Sequence, residues 1–409
     1  MKFFQVKSVE ETFRLIQEKI KPLKTIETVS LWQSRGRVLA EDIYVKESVP
    51  AFRRSSVDGY AVLAEDTFGA SESMPAFLNM IGEVKMGEHV QVALQAGEAM
   101  YVPTGGMLPD GANGVVMIEH CEETANLVNV YKQIAPYENV IQPGEDLSEG
   151  NLLLEKGTKL RAQEIGALAS QGIYEVSVMK KPVVTYISSG DEIVPFETQN
   201  LKLGEIRDMN ALTIGTLTEE WGCHFLYGGI VKDDERELER RAKELLEKAD
   251  CLVLSGGSSV GTKDYSVDII HSLGQPGVFV HGIAVKPGKP TILSMADEKP
   301  VIGLPGHPAS ALIIYKLFGS AILHRLEGKC NESFMRTEAF STKKIASSPG
   351  RTDYVRVRLV QRNQKLYAEP IHGKSGLIST LVESDGILEI PSQKEGIEKD
   401  EKVSIIRFL

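Results

Sequence analysis

The sequence predicts a multidomain α/β and β protein, in which one domain has a parallel-rich sheet flanked by helices and the rest is built mainly from short strands. Between Lys180 and Cys330, apolar strand-like runs alternate with helical patterns, which is typical of a parallel sheet. On either side, short alternating runs are broken by glycine and proline, as in β-rich domains. The 409 residues are also too many for one ordinary core, and this length suggests roughly three domains.

Hydrophobic spacing predicts the elements before residue 180. Residues 9–20 place apolar side chains at helical intervals, and Pro22 ends this opening helix. Residues 36–137 predict a series of short strands. A further helix is predicted over residues 161–171, after a loop marked by glycines.

The α/β region is predicted as a regular alternation of strands and helices. In chain order we expect a strand and loop in 182–194, a helix over 210–221, a strand and loop in 225–234, a helix over 234–248, a strand over 251–254, and a strand, turn and long helix in 301–328. After residue 330, β patterning returns in segments such as 353–361 and 401–409. Ligands of open parallel sheets bind at the loops that leave the C-terminal strand ends, so the loops of this region are the first candidates for a site.

The composition excludes several classes of function. Hydrophobic residues make up 42% of the chain and charged residues 25%, as in an ordinary globular enzyme. The formal net charge of −10 argues against nucleic-acid binding, so a phosphate-bearing ligand would need a local cluster of lysine and arginine. Four separated cysteines and eight histidines show neither a disulfide framework nor zinc-ligand spacing.

We expect the protein to be cytoplasmic, without membrane contact. Glu10 and Glu11 stand where a signal peptide would need an apolar core. The longest apolar stretch, residues 309–323, is short for a membrane span and contains Lys316.

A glycine-rich loop, residues 254–265 (LSGGSSVGTKDY), follows an apolar run that predicts a buried strand. Glycines let backbone N–H groups turn toward an anion, and serine hydroxyls add donors. The residues expected to bind substrate here are Gly256, Gly257, Ser258, Ser259 and Gly261. The carboxylate of Asp264 would repel a bare phosphate but could hold a divalent cation that bridges the two. Glycine-rich turns without a charged ligand are also common, so this loop alone leaves both interpretations open.

Three loops of the α/β region bring carboxylates to the same predicted sheet edge: Asp191 and Glu192, Asp233 and Asp234, and Asp264. Converging carboxylates suit a metal-assisted phosphoryl reaction, since they hold the cation. Alternatively, each acid could cap the N-terminus of a helix. For all three loops together, capping is the weaker explanation.

The segment VKPGKP (residues 285–290) places Lys286 and Lys289 on either side of a Pro-Gly turn with flanking prolines, which favours an oxyanion or phosphate site. Next, GLPGHP (residues 303–308) leads into a helix near Pro308, whose N-terminus would attract an anion. His307 could contact that ligand or serve only in the turn.

In the β-rich half, polar residues cluster before and within turns. Asp58 follows Arg53 and Arg54 in the segment RRSSVDGYAV, while Thr104 and Asp146 lie in glycine-rich loops. A β-turn alone would explain such clustering. The segment HGKSG ends like a nucleotide-binding P-loop, but Ala368 replaces the required first glycine and no helix pattern follows, so we exclude that motif.

The segments SSVDGYAV, PTGGMLPDGANGVVMIE, GEDLSEG, SSGDEIV, GGSSVGTKDY, VKPGKP and GLPGHPASA occur in this chain in that order. In this order and spacing the chain resembles the molybdopterin molybdenumtransferases, the MoeA family, which includes the gephyrin E domain and the plant Cnx E domain. Each motif is modest alone, but seven in order are specific, and they span essentially the whole chain.

The resemblance implies insertion of molybdate into adenylylated molybdopterin with release of AMP, and Mg²⁺ or another divalent cation at the site. It implies catalytic roles for Asp58, Thr104, Asp146, Glu192, Asp233 and Asp264, of which the last three would hold the metal. It implies that substrate is bound by the glycine loop together with Lys286, Lys289, Pro305, Pro308, Arg356 and Ser375.

The resemblance also implies an architecture: a MogA-like α/β domain, N-terminal β-rich domains and a C-terminal domain resembling a β-barrel. We place a discontinuous N-terminal domain at residues 1–50 and 137–178, an inserted β-rich domain at 51–136, the molybdopterin-binding domain at 179–328 and the C-terminal domain at 333–409. A homodimer is expected, whose site joins the α/β domain of one copy to the N-terminal region of the other. The molybdopterin adenylyltransferase and acceptor molybdoenzymes are the expected transient partners.

The chain departs from the usual family motifs, with SSVDGYA for SAMDGYA, GGSSVG for GGVSVG, and GLPGHPASA for GLPGNPVSA. The acids and lysines are kept, so we expect the chemistry to be intact. The changes at Ser258 and His307 could instead mark a paralogue that prefers tungstate. A carrier or sensor of molybdopterin that does not catalyse insertion is the other alternative, and a scaffold role is less favoured, because no added interaction domain is apparent.

Overall fold

The computed structural model describes residues 6–256, 265–329 and 334–408. Its first element is the helix Val9–Lys19, which begins where the Ser8 side chain accepts a hydrogen bond from the Glu11 amide and ends at Ile20. The prediction of an opening helix ahead of Pro22 is thus confirmed. Its apolar stripe packs on the core of the α/β domain through Val9 and Ile16.

The N-terminal region is discontinuous in sequence. Ile26–Ser30 pairs antiparallel with Glu175–Met179, and Ile43–Tyr44 pairs with Leu152–Leu154. The helix Ala162–Ser170 packs against these strands through buried Leu168. Short elements complete the region and its junction with the next sheet: 3₁₀ turns at Leu31–Gln33, Ala64–Thr67 and Ile118–His120, and the strand pair Arg54–Ser55 with Val140–Ile141.

Between these halves lies a six-stranded sheet. Its strands, in spatial order, are Gly114–Met117, Gly59–Val62, Glu98–Val102, Ala76–Glu83, Leu127–Val130 and Cys121–Thr124. Gly59 is required where two strands approach closely, because a β-carbon there would lie 1.9 Å from the carbonyl oxygen of Val116.

The α/β domain contains a second six-stranded sheet. Its spatial order is His224–Val231, Val183–Ser189, Cys251–Ser255, Lys299–Leu304, Ile292–Ala296 and Pro276–His281. The first four strands are parallel and the last two join antiparallel, which confirms the prediction of a parallel-rich sheet. Three helices pack on it at Met209–Glu220, Glu235–Leu246 and Tyr265–Ser272, and a short parallel pair joins Ile193–Val194 to Ile206–Arg207.

The long helix predicted after Gly303 forms the centre of this domain. It runs as Pro308–Ile314, a π-helical turn at Tyr315–Gly319, and Ser320–Leu326. At 19 residues it is long and apolar enough to span a membrane, which the shorter apolar stretch in the sequence had not suggested. However, 72% of its apolar window is buried inside the protein, as in a core helix.

The C-terminal domain is a closed five-stranded barrel, which confirms the barrel-like prediction. Its strands, in order around the barrel, are Thr352–Arg362, Lys365–Pro370, Arg336–Ser341, Lys402–Arg407 and Gly386–Ile390. A small pair, Ile345–Ala346 with Gly396–Ile397, and the short helix Ser379–Val382 complete it. The strand Val285–Lys286 of the α/β domain pairs in parallel with Thr352 and Asp353, so one segment belongs to both domains.

Candidate active site

Two cavities adjoin at the C-terminal edge of the parallel strands. The larger, of about 1010 Å³, lies between the turn 285–290, the barrel and the loop 371–375. The smaller, of about 620 Å³, lies among the loops that follow the parallel strands. Both are lined by Pro290, Pro305 and His307. The site therefore has two connected chambers at the edge where open α/β sheets bind ligands.

The larger chamber is strongly basic although the whole chain is acidic. Its charged lining consists of six basic side chains and one carboxylate: Lys286, Lys289, Lys344, Lys374, Arg351, Arg356 and Asp353. Lys344 is paired with Glu398 at 2.6 Å, and Arg351 with Asp353 at 2.8 Å. In the described part of the chain, Lys286 and Lys289 have no such partner, and both are exposed. Two uncompensated ammonium groups in one chamber favour an anionic ligand.

The turn that carries these lysines is fixed on two sides. The Thr352 amide donates to the carbonyl of Ala284 at 2.8 Å, and the Ile283 amide to that of Lys289 at 3.0 Å. Gly288 has φ of +106°, and a β-carbon there would lie 2.3 Å from Cγ1 of Ile314 on the core helix. Only glycine fits between turn and helix, so the lysines project from a backbone held by barrel and helix together.

Arg356 and Ser375 reach the same chamber from the C-terminal domain. The guanidinium of Arg356 donates to the Thr380 hydroxyl and, at 2.7 Å, to the carbonyl of Gly373. Burial lowers the pKa of Arg356, which still remains charged at neutral pH. The carbonyl of Ser375 accepts the Ala309 amide at 3.0 Å, which places the loop over the start of the core helix.

The smaller chamber carries charged side chains of both signs, Glu192, Asp208 and Arg207. Glu192 lines it, is exposed, and makes no side-chain hydrogen bond or ion pair with the residues that the structure describes. Asp233 lies beside it, since its Oδ1 accepts from the hydroxyl of Ser189, another lining residue, at 3.4 Å. The loops are tied together because the Asp233 amide donates to Oδ1 of Asp191 at 3.2 Å.

Among the predicted acids that the structure describes, helix capping applies to Asp234 only. The side chain of Asp234 accepts from the Glu237 amide at 2.9 Å and so caps the helix Glu235–Leu246. Glu192 caps no helix. The predicted convergence of Glu192 and Asp233 at one edge is therefore seen, while Asp234 has a structural task.

Gly256 begins the glycine-rich loop at the wall of the smaller chamber. Its φ is +106°, and a β-carbon there would lie 1.9 Å from the carbonyl oxygen of Ser189, so the close approach of two strand ends requires glycine. The other predicted loop residues fall outside the described residues: Gly257, Ser258, Ser259, Gly261 and Asp264.

Two lining residues were missed by the sequence interpretation. Buried Asp208 caps the helix Met209–Glu220 and accepts from the Tyr227 hydroxyl at 2.9 Å. Burial first, and then Asp208, raises the pKa of Tyr227 above its ordinary value. Asn210 donates to the Ser255 hydroxyl at 3.2 Å and to the carbonyl of Gly306 at 2.8 Å, so it joins two strand-end loops. The position of Asp208, just before the predicted helix over 210–221, is the sequence signal that could have identified it as a helix cap.

The donor set fits a hard divalent cation only in part. Carboxylate oxygens such as those of Glu192 and Asp233 are the ligands that Mg²⁺ prefers, and neither is consumed by a salt bridge in the described chain. Within residues 6–256, 265–329 and 334–408, no group of three or more His, Cys, Asp or Glu side chains could hold a metal. The third predicted ligand, Asp264, lies outside these ranges.

The predicted N-terminal residues line neither chamber. Oδ1 of Asp58 accepts from the amide of Thr104 at 2.8 Å and from its hydroxyl at 3.0 Å. Asp146 lies in a separate loop, where its amide donates to the carbonyl of Val49 at 3.1 Å. Asp58 and Thr104 thus form one exposed pair on the N-terminal sheet, away from the chambers.

A basic chamber beside a chamber that bears carboxylates is typical of an enzyme site whose anionic organic ligand occupies both. Family models match along the chain: MoeA N-terminal region (domain I and II) over residues 7–172, probable molybdopterin binding domain over 185–325, and MoeA C-terminal region (domain IV) over 338–408. The chain belongs to the MoeA family.

Named relatives agree with this assignment. A molybdopterin molybdenumtransferase of Bacillus subtilis is 31% identical, over 93% of this chain and 89% of its own. Two crystal structures of the molybdopterin biosynthesis MoeA protein of Pyrococcus horikoshii each cover 99% of this chain and 100% of their own. They are 36% and 32% identical to it, with TM-scores of 0.80 and 0.83.

Proposed function

We propose that the protein is a molybdopterin molybdenumtransferase, which inserts molybdate into adenylylated molybdopterin and releases AMP. Full-length relatives bear that name. The observation that carries the proposal is the junction of two chambers that differ in charge, one lined mainly by lysines and arginines and the other by Glu192, Asp208 and Arg207. An adenylylated pterin has two anionic parts and a linkage between them, which matches two connected chambers.

In the basic chamber, Lys286 and Lys289 supply charge to the phosphate of the pterin and to the incoming molybdate. Arg356 adds a guanidinium whose direction is fixed by Thr380 and Gly373. Because Thr380 and Gly373 already hold the guanidinium of Arg356, little ordering of that side chain is required when the anion binds.

In the smaller chamber, Glu192, Asp233 and Asp264 would hold Mg²⁺ or another divalent cation. Such a cation, when bound, neutralises phosphate charge and polarises the adenylate linkage. Glu192 and Asp233 bring formal negative charge to one wall, and the tie between Asp233 and Asp191 limits the movement of that loop. The loop end at Gly256 brings its backbone against the same wall.

AMP release from adenylylated molybdopterin tests the function directly. With magnesium present, release is expected to rise with molybdate and to saturate, because the oxyanion takes part in the step that frees AMP. Tungstate is titrated separately, and the two curves rank the metals and so test the tungstate alternative. Tight binding of the adenylate without release under either oxyanion would instead establish a carrier or sensor.

We further propose that two copies form a homodimer in which Asp58, Thr104 and Asp146 of one copy complete the chambers of the other. These three residues line neither chamber of their own copy. This arrangement would also account for the exposure of the hydrogen-bonded Asp58–Thr104 pair. The adenylyltransferase that makes the substrate and the molybdoenzymes that accept the product would be transient partners.

Mixed dimers test this arrangement. Asp58→Ala and Lys289→Ala copies should each be nearly inactive alone, because each dimer then lacks one half of both sites. When the two are co-refolded or co-expressed, heterodimers regain one intact site, so about a quarter of wild-type AMP release is expected from random pairing. No recovery, with heterodimers verified by two affinity tags, would show that the residues act within one copy.

A further inference from the structure

His307 lies where the two chambers meet, together with Pro290 and Pro305. It lines both cavities, is exposed, and stands immediately before the core helix that begins at Pro308. On its other side lies the barrel loop, since a β-carbon placed on Gly376 would be 3.6 Å from Cδ2 of the imidazole. A ligand that extends from one chamber into the other would therefore lie near this ring.

Among the described residues, the imidazole ring of His307 makes no hydrogen bond that would stabilise the fold. It occupies the N-cap position of the core helix, yet its side chain makes no capping hydrogen bond. The helix is capped by a backbone group instead, since the carbonyl of Ser375 accepts from the Ala309 amide at 3.0 Å. Across the described residues the imidazole has no hydrogen-bond partner, in contrast to Asp208, which caps its own helix. The interpretation of a purely structural turn histidine is therefore not supported.

The charges around the junction indicate what would contact the ring. Lys286 and Lys289 lie on the side of the larger chamber, and Arg207 and Glu192 line the smaller one. A ligand with one phosphate near these lysines and a second phosphate in the smaller chamber would place its bridging group between them. An imidazole always has at least one N–H to donate, and phosphate oxygens accept such bonds strongly.

We infer that His307 is a specificity-determining residue that donates a hydrogen bond to the diphosphate linkage of the adenylylated substrate, where the two chambers join. This inference rests on the proposed function and adds a residue to it. The usual family motif has asparagine here (GLPGNP), whose side-chain amide is also an N–H donor. This chain therefore keeps an N–H donor at this position, but the donor belongs to an imidazole ring and not to a side-chain amide.

The test compares His307→Leu, His307→Asn and wild type for binding of adenylylated molybdopterin, by calorimetry with magnesium and without oxyanion. Losing a hydrogen bond to a charged group should weaken binding by about tenfold to a hundredfold in the leucine variant. Asparagine restores a donor, so its affinity should stay within about threefold of wild type. His224→Leu is the matched control, since His224 begins the edge strand at the opposite end of the sheet from the chambers.

Wild-type affinity in His307→Leu, or equal weakening in His307→Asn and His307→Leu, would overturn the inference. The thermal midpoint of each variant should match wild type, and a selective fall for His307→Leu would instead assign a structural role. The binding comparison is separate from turnover. A wild type that binds the adenylate but releases no AMP would refute the proposed function and leave the effect of His307 measurable; failure of the adenylate to bind wild type would refute both.

Discussion

AMP release is expected to fall by at least about 100-fold, to background, when Glu192 is replaced by glutamine or Asp264 by alanine. Each change removes a carboxylate proposed to hold the divalent cation. For Glu192, the fold should be unaffected, because its side chain has no hydrogen-bond or ion-pair partner in the described chain that would be left unsatisfied. The measurement is single-turnover AMP release with saturating molybdate, alongside thermal unfolding.

Two controls sharpen this experiment. Glu197→Gln removes a carboxylate from the exposed loop that follows Glu192 but lines neither chamber, and should turn over like wild type. A magnesium titration should show that Glu192→Gln needs more cation for whatever activity remains. If Asp264→Ala released AMP at the wild-type rate, the argument for a cation held by these carboxylates would have to be abandoned.

The second large effect is expected from removing Lys286 and Lys289, the two lysines that the turn 285–290 carries into the basic chamber. Charge-assisted hydrogen bonds contribute about 1.5–3 kcal/mol each, so Lys286→Ala with Lys289→Ala should weaken binding of the adenylylated substrate by at least about 100-fold. Because the two ammonium groups have no acidic partner in the described chain, their loss leaves no carboxylate unpaired. The measurement is equilibrium binding at several salt concentrations.

Lys344 provides an internal contrast, since it lines the same chamber but is already paired with Glu398. Lys344→Ala should therefore weaken binding less than either single change at Lys286 or Lys289. Lys248→Ala, on the exposed surface beyond the helix Glu235–Leu246, should have no effect. Equal weakening by all four lysine changes would mean that overall charge attracts the ligand and that the geometry of the turn 285–290 is irrelevant.

Local pattern was sufficient to predict the four parallel strands and most helices of the α/β domain, but not the helix Tyr265–Ser272. Apolar runs such as Cys251–Ser255 and capped amphipathic segments such as Glu235–Leu246 carry their own signals within a few residues. The closure of the barrel and the two antiparallel strands of the α/β sheet were not predicted in detail, because they depend on pairings between distant segments. Nothing near Val285–Lys286 in sequence indicates that it pairs with Thr352 and Asp353.

For the candidate site, too, the sequence predicted some residues and missed others. Glu192, Lys286, Lys289 and Arg356 were identified from their motifs, and the structure places all four on chamber walls. The roles of Asp208 and Asn210 required the fold, because each acts through a partner distant in sequence, Tyr227 and Gly306 respectively. The predicted domain limits and the roles of Asp58, Thr104 and Asp146 stay predictions.

The segment shared by the α/β domain and the barrel has a thermodynamic consequence. Val285–Lys286 is hydrogen-bonded into the barrel edge, yet it carries the lysines of the larger chamber. An anion held there binds only while the barrel is docked, so its binding free energy also opposes detachment of the barrel, by about 2.7 kcal/mol at a ligand concentration 100 times the dissociation constant. The C-terminal domain would then stay docked against the α/β domain for longer when substrate is bound than when the site is empty.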